Sequence, residues 1–440
     1  MVNFADFKSF LCDSGFFRRI KNPFVIAALL CAFLIYSGIF SVREKDPFSS
    51  PFEKESIVLL KGKISSNPSI SSSGKFYSCS FAAEEVSALL GKSFCTATAL
   101  GNTKLFVPSE ILEAQYPGRL YSISLSDSVF ETGERVLCTV SYSEKLGGFF
   151  VEKAEYLGYE KNFGGKLNHL RALCRLEFKN LMYSWNGCGG LVLSLLSGSR
   201  EYLEGGLADF FRDAGLSHVL ALSGMHLSFF AGLSGGLTKR LFGRKFLALG
   251  KILGIVFFVF FAGLSPSLFR ALLCSLLMLL CSVVFCMSAD FFIVLCISFL
   301  IHCAVQPNDI FSSAFMLSYG ALAGILLFSD FFNLILIPFI PEKISSSLSA
   351  SLSAQTSTFP LSAFLFGEVM PIGILSSVVI SPLVSFFLTL ALFAIILSLL
   401  FPFLANFFGI ILNLLYKCIV GIVKVFALVP PLDFSFLEKI

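Results

Sequence analysis

Two hydrophobic patterns divide the chain. Residues 23–40 form an unbroken apolar run, long enough for one membrane span at about 20 residues per bilayer. Residues 50–162 instead alternate apolar and polar positions with period two. Strands are expected at 56–64, 75–81, 94–107, 135–142 and 148–158, with Gly, Asn, Pro and Ser clustered between them. Five short strands in about 110 residues fit a small barrel such as an OB-fold, with a sandwich as the alternative. At 167–185 the period becomes helical. Leu170, Leu173, Leu176, Leu181 and Trp185 fall near one face and Lys166, Arg171, Arg175 and Lys179 on others, the pattern of an amphipathic helix lying on a membrane. The apolar piece 187–198 is too short to span and is expected to be re-entrant or buried.

Apolar segments then dominate to the end. Spans are expected at 216–236, 246–264, 268–287, 291–305, 311–328, 372–400 and 404–428. The Ser-rich part of the intervening stretch, 346–357, is too polar to face lipid. The fold class is therefore a polytopic α-helical membrane protein with an inserted small all-β, OB-like, extracytoplasmic domain. Its expected parts are a cytoplasmic N-terminus with the first span (1–45), the β domain (50–162), the interfacial helix (163–186), a helical domain (187–430) and a tail (431–440).

Composition agrees. Of 440 residues 55% are hydrophobic and 14% charged, with 53 Phe. Mean hydropathy is +0.82. A soluble chain of this size would have to expose too much of that apolar surface, which excludes an ordinary cytoplasmic enzyme or a disordered chain. The net charge of +4 names no partner. Its distribution is more informative: Lys8, Arg18, Arg19 and Lys21 precede the first apolar run and Lys239, Arg240, Arg244 and Lys245 form a later loop. Both are expected on the cytoplasmic side, which leaves residues 50–162 outside. No CxxC pair or zinc-type spacing occurs. Cys79 and Cys95 are read as buried free thiols, with a disulfide as the alternative.

Polar residues within the apolar part carry the candidate chemistry, because such groups are costly in a bilayer. The richest run, 209–229, holds Ser217, His218, Ser223, Gly224 and His226. Four readings stand for it: a lining for an aqueous path, interhelical packing by small polar residues, a Ser–His nucleophile and base, and metal binding by the histidines, which is disfavoured because the four histidines of the chain form no ligand motif. Arg270 lies just inside a predicted span and needs an acceptor or water; a snorkelling side chain is the alternative. Asp290 begins the next span, either as a lining residue or as a plain helix start. Ser318 lies along a span, and Gln355 and Pro360 fall where the proline is expected to break a helix and expose carbonyls.

These residues resemble the ComEC family of bacterial competence channels. The run GLSHVLALSGMH at 215–226 is similar to the family pattern G-L-S-H-L-L-A-I-S-G-L-H at Gly215, Leu216, Ser217, His218, Leu220, Ala221, Ser223, Gly224 and His226. Pro266, Ser267, Arg270 and Ala271 resemble P-S-x-x-R-A, and Asp290 stands where the family often has Asp. Phe315, Leu317, Ser318 and Tyr319 resemble G-F-Q-L-S-F with Ala314 for Gly and Met316 for Gln. Gln355, Thr358 and Pro360 resemble Q-x-x-T-x-P. Ser377 replaces a family Asn, and Pro382 is kept. The resemblance implies an inner-membrane channel passing single-stranded DNA into the cytoplasm, lined by Ser217, His218, Ser223, Gly224, His226, Arg270, Asp290, Ser318, Gln355 and Pro360. It implies partners: the strand itself, membrane lipid, a DNA receptor, a cytoplasmic ATPase or helicase, and a separate nuclease. Longer family members carry a metallo-β-lactamase-like domain; no HxHxDH motif occurs here, so nuclease activity is not expected of this chain. No Walker motif is visible, and no catalytic, metal or cofactor residue is assigned.

Residues 50–162 carry 11 Lys and Arg against 13 Asp and Glu, a balance unsuited to binding a polyanion. Residues 163–182 carry four basic residues and one acidic. Lys166, Arg171, Arg175 and Lys179 are therefore the expected DNA-binding set, with anchorage on anionic lipid as the alternative. The remaining functional alternatives are a small-solute channel or transporter and an intramembrane Ser/His hydrolase.

Overall fold

The computed structural model describes residues 21–39, 47–71, 75–90, 93–113, 129–222, 224–284 and 288–434. It divides into a β unit, Asp46–Glu204 with Ala391–Leu414, and a helical unit, Met1–Lys45 with Gly205–Leu390 and Leu415–Ile440. Helix α1 (Pro23–Tyr36) opens the helical unit. Asn22 caps it, accepting from the Phe24 amide at 3.0 Å, and Pro23 suits its first turn. At 14 residues it is shorter than a full span of about 20.

Among its described residues the β unit has seven strands: β1 (Ile57–Ile64), β2 (Ser69–Ile70), β3 (Phe76–Leu90), β4 (Ser93–Thr98), β5 (Asn102–Pro108), β6 (Glu134–Ser143) and β7 (Gly148–Tyr159). Five of them close on themselves. β1 pairs with β6, β6 with β7, β3 with β5 and β3 with β1, all antiparallel, while β5 and β7 pair in parallel. The inward positions fill the ring with Leu60, Ile64, Phe81, Leu105, Phe130, Val136 and Phe149. Gly62 permits the closure: a Cβ there would strike the Ala82 carbonyl and the Phe81 ring where the β1–β3 register slips. Two strand expectations change. β3 runs on to Leu90, and the expected strand 94–107 splits into β4 and β5 at a turn that places Gly101 at φ +88°. Cys79 and Cys95 are free thiols.

Helix α2 (Phe163–Ser184) starts at Asn162, whose side chain accepts from the Gly165 amide at 2.6 Å. Its Ala172, Leu173 and Leu176 belong to the core of the strands. The expected interfacial helix is thus a packing element of the β unit, because Ala172, Leu173 and Leu176 of its apolar face are covered by protein, while Leu167 and Leu170 stay exposed. Helix α3 (Gly187–Ser197) is buried over nearly its whole length, with Gly189 and Gly190 against the carbonyls of Met182 and Tyr202. The expected boundary at 186/187 therefore does not separate two units; residues up to Glu204 and the stretch Ala391–Leu414 group with the strands. The Trp185 indole donates to the Ala405 carbonyl at 3.0 Å, and Asn413 Nδ2 donates to the Trp185 carbonyl at 3.0 Å.

The helical unit continues with α4 (Leu207–Asp213), α5 (Ser217–Leu220), α6 (Gly224–Phe242), α7 (Leu247–Ala262), α8 (Pro266–Val283), α9 (Phe291–Val305), α10 (Ser313–Leu336), α11 (Glu342–Phe366), α12 (Gly373–Leu400) and α13 (Ala405–Phe426). Short strands β8 (Glu368–Val369) and β9 (Leu432–Asp433) pair antiparallel. Among the described residues five helices are long and apolar enough to cross a membrane: Arg244–Ala262, Pro266–Val283, Ser313–Leu336, Gly373–Leu400 and Pro402–Phe426. The expected span 216–236 is not one of them. It is interrupted: α5 is a single turn, and the helix restarts at Gly224.

The Ser-rich stretch is also helical. α11 runs unbroken through Pro360, contrary to the expected break. Ser345, Ser349 and Ser353, four residues apart, lie on one buried face. Ser345 Oγ donates to Asn333 Oδ1 at 2.7 Å, and Ser357 Oγ to the Gly320 carbonyl at 2.7 Å, joining α11 to α10. Gly324 makes this approach feasible, since a Cβ there would overlap Ser357 Oγ and stand 2.5 Å from the Ser353 carbonyl. Ser345 and Ser357 are thus used in helix pairing, while Ser349 and Ser353 donate to carbonyls four residues earlier in α11 itself.

Candidate functional site

The motif-rich run begins where α4 ends. Gly215 takes φ +71°, a left-handed conformation that ends the helix. It is also a close approach: a Cβ would fall 2.5 Å from Gly373 Cα. Ser376 Oγ donates to the Ala214 carbonyl at 2.7 Å, and Gln355 Nε2 donates to the Met370 carbonyl at 2.7 Å. The link at 214–216, Gln355 and the start of α12 thus form one junction. Leu216, Val219 and Leu220 anchor the α5 turn inward, while Ser217 and His218 are exposed on it. Ala221 and Leu222 follow without helical hydrogen bonding. Ser223 lies outside the described residues. Gly224 opens α6, its Cβ position 3.5 Å from Ala271 Cβ, and His226 is fully buried on the same helix.

Arg270 is half-buried on α8, which Ser265 caps and Pro266 begins. Its Nη1 donates to the Ser318 carbonyl on α10. Among the described residues its Nε is buried with no hydrogen-bond partner. The structure thus joins Arg270 with Ser318 through the Ser318 backbone. Asp290 is the N-cap of α9, accepting from the Phe292 amide at 2.8 Å, the helix-start reading of that residue. Pro360 sits inside α11.

A neighbouring polar chain escapes a reading by motif. His302 on α9 is fully buried. Its Nε2 is 3.2 Å from Asp309 Oδ2 and its Nδ1 is 3.3 Å from the Tyr319 hydroxyl on α10. Tyr319 is 3.4 Å from Ser298 Oγ, and the Cys274 thiol on α8 donates to Ser298 at 3.3 Å. The available signal was a histidine in an apolar run, one turn after a serine.

The expected DNA-binding set does not form a surface. Lys166 is exposed, but Arg171, Arg175 and Lys179 are 7%, 1% and 3% exposed. Arg175 Nε lies 3.3 Å from Glu131, Lys179 Nζ lies 3.2 Å from Glu131 and 3.1 Å from Glu201, and Arg171 Nη2 donates to Asn67 Oδ1 at 3.1 Å. Their spacing does place all three on one helical face, but that face meets buried carboxylates rather than solvent. Burial alone would raise the Glu131 carboxyl; Arg175, Lys179 and Arg171 outweigh it and bring it down to about 2. Burial, and then Arg175, lower Arg171 to about 10. Glu134 nearby is pushed up to about 7 by burial, opposed by the Gly158 amide it accepts from at 2.9 Å. Among the described residues no group of three or more His, Cys, Asp or Glu is arranged to hold a metal ion.

Comparison with known proteins places these residues in context. A family model described as Competence protein matches residues 195–438. ComE operon protein 3 of Bacillus subtilis (strain 168) is 26% identical over 204 residues, 45% of this chain and 25% of that protein. An uncharacterized protein of Aquifex aeolicus (strain VF5) is 31% identical over 197 residues, 43% of each chain. Recombination protein 2 of Haemophilus influenzae (strain ATCC 51907 / DSM 11121 / KW20 / Rd) is 26% identical over 223 residues, 47% of this chain and 28% of that protein. The matches thus span less than half the length of each of these relatives. No solved structure matches the chain.

Proposed function

Because the chain belongs to the competence-protein family, we propose that it passes single-stranded DNA across the bacterial inner membrane during natural transformation. The observation that carries this reading is the interruption at 215–222 inside the family-matched region. Non-helical backbone at membrane depth is tolerated where protein buries it or an aqueous path runs beside it. Here its flanks are anchored by Gly215 against Gly373, while Ser217 and His218 stay exposed. Arg270 adds a cation suited to phosphate, since a guanidinium retains further donors after binding the Ser318 carbonyl.

In this reading the β unit is an OB-like barrel outside the membrane. Its ring order β1–β6–β7–β5–β3, closed by β3–β1 with a single parallel pair, supports the comparison. With net charge −2 over residues 50–162 it shapes the entry rather than binding the strand. The N-terminus lies in the cytoplasm. The chain is a channel and not an enzyme; a DNA receptor, a cytoplasmic ATPase or helicase and a separate nuclease act with it.

A photo-crosslinking amino acid placed at 217, 218 or 270 tests the path during uptake of labelled DNA. Adducts to a single strand are expected at those positions and not at exposed Leu253 on α7. Adducts at Leu253 alone would overturn the assignment.

A further inference from the structure

We propose that His302 is a proton-binding site, its charge balanced by Asp309 and its state read out by Tyr319. A histidine inside an apolar helix needs a reason, because its charged form is costly there. His302 has the counter-charge: Asp309 Oδ2 stands 3.2 Å from Nε2, and the Asp309 side chain is 27% exposed while the ring is fully buried. Phe269 and Phe315 flank the ring at 4.7 and 4.8 Å between centroids, closing it off from the apolar side. The arrangement runs from a partly exposed carboxylate to a buried base.

Bond donors and acceptors then fix the two states. An ionised Asp309 only accepts, so neutral His302 carries its proton on Nε2. Nδ1 is then an acceptor, and the Tyr319 hydroxyl donates to it at 3.3 Å. A proton taken from water adds to Nδ1, and Nδ1–H becomes a donor. The pair passes from a net charge of −1 to neutral, the imidazolium being balanced by the Asp309 carboxylate. The Tyr319 hydroxyl proton must leave Nδ1, and Ser298 Oγ at 3.4 Å is the acceptor that receives it. Ser298 already donates to the Leu295 carbonyl at 2.8 Å and accepts from the Cys274 thiol, so it can take this bond without losing its own.

The surrounding groups are compatible with this exchange. α8 brings Arg270 and Cys274, α10 brings Tyr319, and α1 brings Cys31 and Tyr36 beside Cys303 of α9 itself. Tyr319 follows Ser318, whose carbonyl holds Arg270. Proton binding is therefore felt one residue from that contact, which, resting on the transport reading, makes the path responsive to a proton gradient.

The full chain in lipid nanodiscs, with nitrogen-15 in its four histidines, gives the test by magnetic resonance. His302→Gln, which keeps hydrogen-bonding groups but takes no proton, identifies the signal by its loss. On acidification that signal is expected to pass from the neutral Nε2–H form to the imidazolium. Asp309→Asn, lacking the counter-charge, is expected to hold it neutral throughout. Tyr319→Phe should leave the proton uptake in place. A His302 signal that stays neutral on acidification in the unaltered protein, or one that Asp309→Asn leaves unchanged, overturns the proposal. The readout uses no DNA, so failure of the transport reading leaves it standing, and the reverse.

Discussion

Removing the Glu131 charge leaves Arg175 and Lys179 buried with one carboxylate fewer. Breaking a buried pair from one side costs about 3–5 kcal/mol. Glu131→Gln is therefore expected to lower the thermal midpoint of the β unit at neutral pH. The acid dependence follows as well. A carboxyl held down to about 2 in the folded chain contributes stability that is complete above its ordinary value of 4.5 and fades as pH falls toward 2. The variant should lose less between those limits. Glu134 has the opposite sign. Raised to about 7, it contributes stability that is complete below 4.5 and is lost as pH rises through 7. Glu134→Gln, a permanent neutral equivalent, is expected to raise the thermal midpoint at pH above 7 and to change it little below 4.5. An unfolding series across pH with the two variants checks both signs. The three buried cations also show what spacing conveys. Positions 171, 175 and 179 share a helical face by arithmetic, but only folding brings Glu131, some 40 residues earlier in the chain, against that face. A shorter separation, 17 residues, likewise hides His302, whose partner Tyr319 sits on another helix.

Whole helices were easier to read than their interruptions. The runs 246–264, 268–287 and 372–400 reappear as long apolar helices because a bilayer-length apolar run leaves few other options. The stretch 216–236 is equally apolar, yet Gly215 at positive φ and the close Gly373 end the helix there. Hydropathy has no term for either. The Ser-rich α11 was legible as a segment unfit for lipid, but not as a helix: its Ser345 and Ser357 turn to α10, and Pro360 is accommodated. Both contacts give element-scale predictions. Gly324→Val overpacks the α10–α11 seam against the Ser353 carbonyl, and about 1–3 kcal/mol is the usual cost of such overpacking. Its expected signature is reduced membrane level and faster proteolysis. Gly215→Ala meets both an unfavourable φ and the Gly373 backbone, so it should disturb the 214–216 junction more than Gly205→Ala, which meets open space. Cysteine accessibility at position 218 compares the two.

At the scale of the molecule, composition alone separated a polar β part from an apolar helical part, and the structure keeps that division. The boundary moved because α2 and α3 pair their buried faces with the β unit, a long-range choice that local polarity does not record. The strand alternation also sufficed for a small β domain, while the closure of its ring needed the pairings themselves. The family match covers most of the helical unit, and the interrupted helix within it carries the proposed route for the strand. Its central claim is DNA passage. The most direct measurement is transformation frequency in a naturally competent host whose own channel gene is deleted, with this chain supplied intact or as Arg270→Ala and with membrane levels matched. The account predicts transformants from the intact chain and a loss of at least about tenfold in the variant, the effect of adding roughly 1.4 kcal/mol to the barrier of a rate-limiting step. Equal frequencies from the two chains at matched level would contradict the role given to Arg270, and no transformants from a well-inserted intact chain with its host partners present would contradict DNA passage itself.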